Sequence, residues 1–147
     1  METEIRAAET ADWMEVERLV EELALMDWVK PAFSPGFTAA YIEDPQTEVL
    51  LAFRDGRAVG MLSCWIHPNL YHAGQVCQIE ELVVLEGERG QGTGSRLIEA
   101  AISLAERRGC AEISVSTSVS NHAAAKLYRR HGFTDEALLL ERHFGGG

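Results

Sequence analysis

The first part of the chain alternates apolar and acidic residues with the period of an amphipathic helix. Apolar residues recur at helical spacing with glutamates between them, at Trp13, Val16, Leu19, Val20 and Leu23. This spacing places the apolar side chains on one face of a helix, and Thr10 or Asp12 suits its N-cap. We expect a short strand over 5–8 before this helix and a second, short helix over 38–43 after it.

Strand patterns occupy the middle of the chain. The strand signal over 49–54, apolar up to Phe53, leads into Asp55-Gly56, which is a strong signal for a two-residue hairpin turn. Residues 58–66 are the returning strand. The stretch 67–74 contains Pro, Asn and Gly and predicts a loop, and 75–85 is the next strand.

A glycine-rich segment over 89–95 separates this strand from the second half of the chain. A helix is expected from about 92 to 108, ended by Gly109. A strand over 112–117, a helix over 120–131 and a last strand or hairpin over 136–144 complete the pattern.

The element order β-α-α-β-β-β-α-β-α-β predicts one mixed α/β domain over residues 1–147, with 144–147 as a disordered tail. A strand, a helix and another strand around the glycine-rich segment form a crossover unit, so those two strands should be parallel. The hairpin before them should be antiparallel.

Composition excludes several classes of protein. The formal charge is −10, from 23 acidic and 13 basic residues, and no basic stripe relieves the repulsion of nucleic acid. No apolar run approaches the ~18–20 residues of a membrane span, and the acidic start does not resemble a signal peptide. Three cysteines without Cys-x-x-Cys spacing predict reduced thiols and no zinc site. A cytoplasmic protein without a membrane or nucleic-acid partner is therefore expected.

The glycine-rich segment has the features of an anion site. Gly90, Gly92 and Gly94 remove the Cβ atoms that would keep a ligand off the backbone. The following helix points its unpaired amides and the positive end of its dipole at the same place, which suits a pyrophosphate. The segment lacks the Gly-Lys-Ser/Thr ending of a P-loop and the Gly-x-Gly-x-x-Gly spacing of a dinucleotide fold. A plain glycine-rich turn without a ligand is the alternative.

Two motifs resemble those of the GNAT superfamily of N-acetyltransferases. The segment from Leu82 to Leu97 is similar to the acetyl-CoA motif Gln/Arg-x-x-Gly-x-Gly/Ala, with Arg89, Gly92 and Gly94 in its fixed positions. Residues 121–133 are similar to the family's Asn-x-x-Ala-x-x-Leu-Tyr … Gly-Phe segment. The resemblance implies the GNAT fold: a central twisted, mostly antiparallel sheet, a parallel strand pair splayed around the CoA site, and about four helices.

The resemblance also implies which residues bind acetyl-CoA, the expected cosubstrate. The loop amides would hold the pyrophosphate, a role that falls to Gln91, Gly92, Thr93, Gly94 and Ser95, with Arg89 adding positive charge. The pantetheine would pair with the backbone near Leu82, Val83 and Val84. Asn121 would contact the pantetheine, or cap the helix that follows it, or do both.

Two catalytic residues follow from the same resemblance. Tyr128 would be the general acid that protonates the CoA thiolate, and the alternative is a packing role on the sheet. Glu80, nine residues before the loop arginine, would take the proton of the attacking amine. Consecutive strand residues face opposite sides, so only one of Glu80 and Glu81 should face the cleft. Glu81 as base, or a water relay, is the alternative.

The acceptor pocket is expected between the first two helices, the loop before the catalytic strand and the C-terminal hairpin. The aromatic candidates for its walls are Trp28, Phe33, Tyr41, Trp65, Tyr71 and Phe144. Of these, Trp28, Tyr41 and Tyr71, together with Glu81, are predicted to contact the acceptor, although most of these aromatics could instead be core. The acidic chain favours an amine such as a polyamine, an aminoglycoside, a basic amino-acid derivative or a peptide amine. No metal is required.

The sequence thus predicts an enzyme that moves acetyl from acetyl-CoA to a primary amine by direct attack in a ternary complex. An acetyl-cysteine route through Cys77 is disfavoured because no base is evident beside it. The alternative function is a non-catalytic CoA-binding sensor or regulatory module. A homodimer is expected, because family members often pair through sheet edges and residues 137–140 are apolar.

Overall fold

The computed structural model describes residues 2–25 and 31–145 and divides the chain into two compact units, Met1–Val115 and Ser116–Gly147. The helices and strands of the first unit are, in chain order, β1 Glu4–Ala7, α1 Trp13–Ala24, α2 Phe37–Glu43, β2 Thr47–Arg54, β3 Arg57–Asn69, β4 Gly74–Val84, α3 Thr93–Arg107 and β5 Ile113–Val115. The second unit contains α4, His122–Arg130. No helix among the described residues is long and apolar enough to cross a bilayer.

The strands form one mixed sheet in the order β1-β2-β3-β4-β5. The first four strands are antiparallel neighbours, and β5 pairs parallel to β4 through the register Cys77↔Ile113 to Ile79↔Val115. Both predicted pairings, the antiparallel hairpin and the parallel crossover, are therefore confirmed. With four α-helices among the described residues, the mixed α/β class is confirmed as well.

Helix α1 packs its apolar stripe on one face of the sheet. Val16 and Leu19 are buried against Leu51, Met61 and Val83 from three strands. Because strand side chains alternate between faces, the residues next to these in each strand point to the opposite face of the sheet. The apolar periodicity read from the sequence therefore identified the buried face of this helix, except at its first residue, Trp13, which is exposed.

Helix α3 covers strands of the same sheet with a second apolar stripe that includes Leu97, Ile98 and Ala101. Gly60 of β3 lies beneath its first turn, where an added Cβ would come within 3.2 Å of Leu97 Cδ1 and 3.3 Å of Thr93 Cγ2. A Cβ there would require these side chains to move by a few tenths of an ångström. Gly60 thus lets the amino end of α3 pack closely on β3.

Asp12 stands at the N-cap position of α1, as predicted, but its side chain does not cap that helix. Residues 10–12 form one turn of 3₁₀ helix, and the Asp12 carboxylate accepts a hydrogen bond from the Glu9 amide at 2.7 Å. Asp12 also pairs with Arg6 at 2.9 Å. The Arg6 hydrogen bond lowers the pKa of this carboxyl group below its usual range.

The predicted loop over 67–74 is wrong in half of its length. Strand β3 continues to Asn69 and β4 begins at Gly74, so only residues 70–73 form the turn. The Asn69 side chain accepts a hydrogen bond from the His72 amide at 3.0 Å, and Ala73 takes a positive φ of 51°. The turn-forming residues thus close a tight hairpin instead of an open loop.

The predicted last strand over 136–144 is also wrong: none of the described residues after Val115 belongs to a strand. Leu138, Leu139 and Leu140 are exposed. Three successive leucines lack the alternation that gives a strand one apolar face, and an extended segment becomes a strand only where a neighbour pairs with it. The homodimer, argued partly from this strand, stays a prediction, as does the single domain. Residues 146 and 147 of the predicted tail lie outside the described residues.

Candidate active site

The glycine-rich segment adopts a conformation that requires glycine at two places. Gly90 and Gly92 have φ values of 80° and 81°, in the left-handed region that other residues avoid. Gly92 is also the N-cap of α3. The segment therefore turns its backbone toward the start of the helix, as the sequence predicted.

The amino end of α3 presents backbone donors. The Arg96 amide donates to the Gly92 carbonyl at 3.0 Å, which is the first hydrogen bond of the helix. The amides of Thr93 and Gly94 precede that bond and belong to the group that a helix leaves without an intrahelical acceptor. These donors and the helix dipole suit the pyrophosphate of CoA.

Arg54, at the end of β2, braces this segment. Its Nη1 donates to Glu88 Oε2 at 2.9 Å and to the side-chain oxygen of Gln91, and its Nη2 donates to Thr3 Oγ1 at 3.0 Å. Arg96 in turn donates to the Thr3 carbonyl. The guanidinium of Arg54 therefore joins the glycine-rich segment to the amino-terminal strand region.

Replacing Arg54 tests this brace. We expect Arg54→Ala to weaken acetyl-CoA binding by about tenfold, because hydrogen bonds of a charged group contribute about 1.5–3 kcal/mol and the segment would lose its fixed conformation. Titration calorimetry with acetyl-CoA measures the effect, and a melting curve checks folding. Arg57→Ala, an exposed arginine on the same hairpin, is the matched control. An unchanged dissociation constant for Arg54→Ala would show that the Arg54 hydrogen bonds do not contribute to acetyl-CoA binding.

The last residues of β4 lie beyond the end of β5. The parallel pairing stops at Ile79↔Val115, while β4 continues to Val84. Leu82, Val83 and Val84 pair with β3 on their other side. The edge of β4 that faces away from β3 thus has no β5 partner there, which is where the resemblance predicts that pantetheine pairs. Arg89 donates its Nε to the Val84 carbonyl at 3.0 Å, so its side chain lies across the end of this strand.

A β-bulge changes the direction of the two consecutive glutamates. Ser63 pairs with Glu81 and Cys64 pairs with Ile79, so Glu80 is an extra residue on β4. A bulge interrupts the strict alternation of side chains and re-aims them. Glu80 and Glu81 consequently both line the same cavity, and the expectation that only one of them faces the cleft is wrong.

The cavity lies on the α1 and α2 side of the sheet and has a volume of about 490 Å³. Its walls come from α1, α2, the segment before α2 and strands β2 to β4. The lining residues are Val16, Val20, Phe33, Phe37, Thr38, Tyr41, Asp44, Thr47, Val49, Met61, Ser63, Trp65, Glu80 and Glu81. Such a volume, with apolar walls and a few polar groups, is typical of a small-molecule site.

The polar groups of the cavity interact with one another. Burial raises the pKa of Glu80, the Glu81 charge raises it further, and His67 acts in the opposite direction. Ser63 is buried. Its hydroxyl donates a hydrogen bond to the Glu81 carboxylate and accepts one from the Glu81 amide at 3.2 Å. Burial and the Glu81 charge raise the pKa of Tyr41 to about 12. Tyr41 is therefore a neutral phenol at neutral pH. The hydrogen bonds with Ser63 hold the Glu81 side chain in place.

The predicted acceptor residues separate into those at the cavity and those elsewhere. Tyr41 and Glu81 line it. Tyr71 lies on the β3–β4 turn, 92% exposed and in edge contact with His72 at 5.4 Å, because the strands extend further than the sequence suggested. Trp28 lies outside the described residues. Cys77 is fully buried and absent from the cavity wall.

The second unit holds the two predicted residues of the Asn…Tyr motif. The Asn121 side chain accepts a hydrogen bond from the Ala124 amide at 3.1 Å, so it caps α4. Tyr128 is buried, which raises the pKa of its phenol, and its ring contacts Phe133 edge-on at 5.7 Å. Gly132, with a φ of 94°, turns the chain after the helix so that Phe133 reaches this ring.

Sequence reasoning missed three polar residues of the first unit. Ser63 stands within an apolar strand, Arg54 directly precedes the hairpin turn, and Asp44 ends α2. A lone polar residue in a buried strand was the available signal for Ser63. Nothing in the sequence signals the contacts of Arg54 or the place of Asp44 at the cavity, since both depend on chain segments that meet only in the fold.

Comparison with known proteins gives consistent results. A family model described as "Acetyltransferase (GNAT) family" matches residues 10–133. The aminoalkylphosphonate N-acetyltransferase of Salmonella typhimurium is 38% identical over 130 residues, which are 88% of this chain and 84% of that protein. The aminoglycoside N(6')-acetyltransferase type 1 of Klebsiella aerogenes is 30% identical over 105 residues, 70% of this chain and 69% of that protein.

A solved structure shares the fold. The crystal structure of an aminoglycoside acetyltransferase from an uncultured soil metagenomic sample has a TM-score of 0.85, covering 99% of this chain and 100% of the other. The two sequences are 19% identical, so this likeness concerns the fold alone.

Proposed function

The chain belongs to the GNAT family of acetyltransferases and is an acetyltransferase enzyme; from this premise we propose that it moves the acetyl group of acetyl-CoA to a primary amine by direct attack in a ternary complex. The observation that carries the proposal is the cavity that Glu80 and Glu81 face together at the β4 bulge. The cavity provides a site for the acceptor on the strand that leads into the glycine-rich segment.

Acetyl-CoA fits the described residues as a cosubstrate. The backbone of Gln91 to Ser95, with two left-handed glycines nearby, would hold the pyrophosphate, and the free edge of residues 82–84 would pair with the pantetheine. A backbone N–H of β4 would polarise the thioester carbonyl. The thioester supplies an activated acetyl group, and the protein supplies orientation.

Glu80 is the base in this proposal. A protonated amine loses a proton to the Glu80 carboxylate, and its lone pair attacks the thioester carbonyl carbon. The tetrahedral intermediate then breaks its C–S bond and releases the CoA thiolate, and the nitrogen gives its second proton to water as the neutral amide forms. The raised pKa of Glu80 makes it a stronger base, whereas Glu81 is committed to its hydrogen bonds with Ser63.

Tyr128 is the acid that returns a proton to the CoA sulfur. Its place in the Asn…Tyr motif supports this role, as does burial, which keeps the phenol protonated at neutral pH. The buried Cys77 does not line the cavity, which supports direct transfer over an acetyl-cysteine intermediate.

The acceptor proposed here is a small-molecule amine. The two relatives described above are named for acetylating aminoalkylphosphonates and aminoglycosides, and both compounds offer amines. The cavity volume of about 490 Å³ suits a molecule of that size.

Mass spectrometry of the acceptor tests the proposal. Incubation with acetyl-CoA and a panel of amines should give one amine class that gains a single acetyl group. Acetyl-CoA that binds without forming any acetylated product, across polyamines, aminoglycosides, amino acids and peptides, would favour the non-catalytic sensor instead.

Removing the Tyr128 hydroxyl tests the acid. We expect Tyr128→Phe to lower kcat by about tenfold or more, on the lower side of what acid catalysis supplies, while the dissociation constant for CoA changes little. Tyr71→Phe, on the exposed β3–β4 turn, is the matched control and should keep wild-type turnover. A wild-type kcat in Tyr128→Phe would remove this residue from the mechanism.

A further inference from the structure

The cavity proposed for the acceptor is acidic on more than one wall. Glu80 and Glu81 face it from β4, and Asp44 faces it from the end of α2. Its described lining contains no lysine, arginine or histidine. The cavity therefore offers three carboxylates among apolar, aromatic and hydroxyl-bearing side chains.

Among the described residues, these carboxylates form no ion pair. Asp44 accepts a hydrogen bond from the Gln46 amide at 2.8 Å, and Glu81 is bonded to the buried Ser63. Both side chains are thus held in place by neutral donors, and no ion pair among the described residues compensates their charge.

The proposed reaction uses only one of the three charges. Glu80 receives the proton of the reacting amine, and the amine is neutral when it attacks. Glu81 and Asp44 then face the same cavity without a role in proton transfer. A carboxylate that a ligand covers loses its water, and this is costly unless the ligand brings a cation.

We propose that the acceptor is an amine that carries a second cationic group, which Asp44 and Glu81 bind while Glu80 serves the reacting amine. This inference rests on the proposed function. The aromatic rings of Tyr41, Phe37 and Trp65 line the same cavity, and they add surfaces that attract an ammonium group. An acceptor with a phosphonate in place of the second cation would meet like charges.

Binding to the CoA-bound protein tests the inference without needing turnover. Titration calorimetry compares diaminobutane with butylamine and with aminobutanol, which has the same length and a neutral hydroxyl. Aminopropylphosphonate is the anionic probe. Since a charge-assisted hydrogen bond contributes about 1.5–3 kcal/mol, diaminobutane should bind at least about tenfold more tightly than each of the others.

Charge-neutralising variants locate the second cation. Asp44→Asn keeps an oxygen for the Gln46 amide and should reduce the affinity ratio of diaminobutane to butylamine by about fivefold or more. Glu81→Gln should reduce the same ratio. Glu43→Gln, a neighbouring carboxylate of α2 that is absent from the cavity lining, is the matched control and should keep the wild-type ratio.

The outcomes separate this inference from the proposed function. Equal affinities for diaminobutane and aminobutanol, tighter binding of the phosphonate, or a ratio that Asp44→Asn leaves unchanged would overturn the second-cation site, even if all the amines are acetylated. Preferred binding of diaminobutane that depends on Asp44, without any acetylated product, would support the site and contradict the proposed function.

Discussion

The Gly92→Asp variant is expected to lose acetyl-CoA binding by about 100-fold or more, because like charges placed against each other in an interface cost several kcal/mol. Gly92 begins α3, where the helix amides suit the pyrophosphate, and its φ of 81° disfavours any side chain. An aspartate there would place a negative charge at the position proposed for the pyrophosphate. Titration calorimetry with acetyl-CoA measures the loss.

A second glycine of the same helix controls for backbone strain. Gly109 follows the other end of α3 with a φ of 70°, and a Cβ at either glycine would meet no atom within 4 Å. Gly109→Asp therefore carries similar strain, about 1 kcal/mol, and should keep wild-type affinity. Equal losses of affinity in both variants would show that strain, and not the pyrophosphate site, explains the result.

The Glu80→Gln variant is expected to lower kcat/KM by about 100-fold or more, within the range that general acid–base catalysis contributes. The amide cannot accept the proton of the amine, while its size and its place in the β4 bulge stay nearly the same. Steady-state kinetics at saturating acetyl-CoA measure the loss, and wild-type activity in this variant would assign proton removal to another group.

The pH dependence gives an independent test of Glu80. The carboxylate must be ionised to act as a base, so activity should fall as the pH drops through its raised pKa. The Glu81 charge contributes to that rise, and Glu81→Gln should therefore move the acidic limb of the profile to lower pH. A limb that stays in place in Glu81→Gln would show that another group controls it.

Sequence patterns predicted the elements of the first unit because their signals are local. The helical stripe of α1, the Asp55-Gly56 turn and the glycine before α3 each act within a few residues. The strand predicted over 136–144 failed because strand formation depends on a partner that no local pattern reveals.

The site could be predicted only where a motif or a single side chain carries the chemistry. Glu80 and Glu81 were identified as residues of the catalytic strand, yet their shared direction depends on the bulge opposite Ser63 and Cys64. A bulge arises from the register of two strands and leaves no mark in either one alone. The place of Asp44 at the cavity and that of Arg54 beside the glycine-rich segment likewise follow only from the fold.

The most direct test of the central claim is the initial rate of CoA thiol release, measured while acetyl-CoA and an amine acceptor such as diaminobutane are varied together. Direct transfer in a ternary complex predicts release that requires the amine and double-reciprocal plots that intersect. Parallel plots would indicate an acetyl-enzyme intermediate and contradict direct attack. Release that is independent of every amine tested would contradict N-acetylation itself.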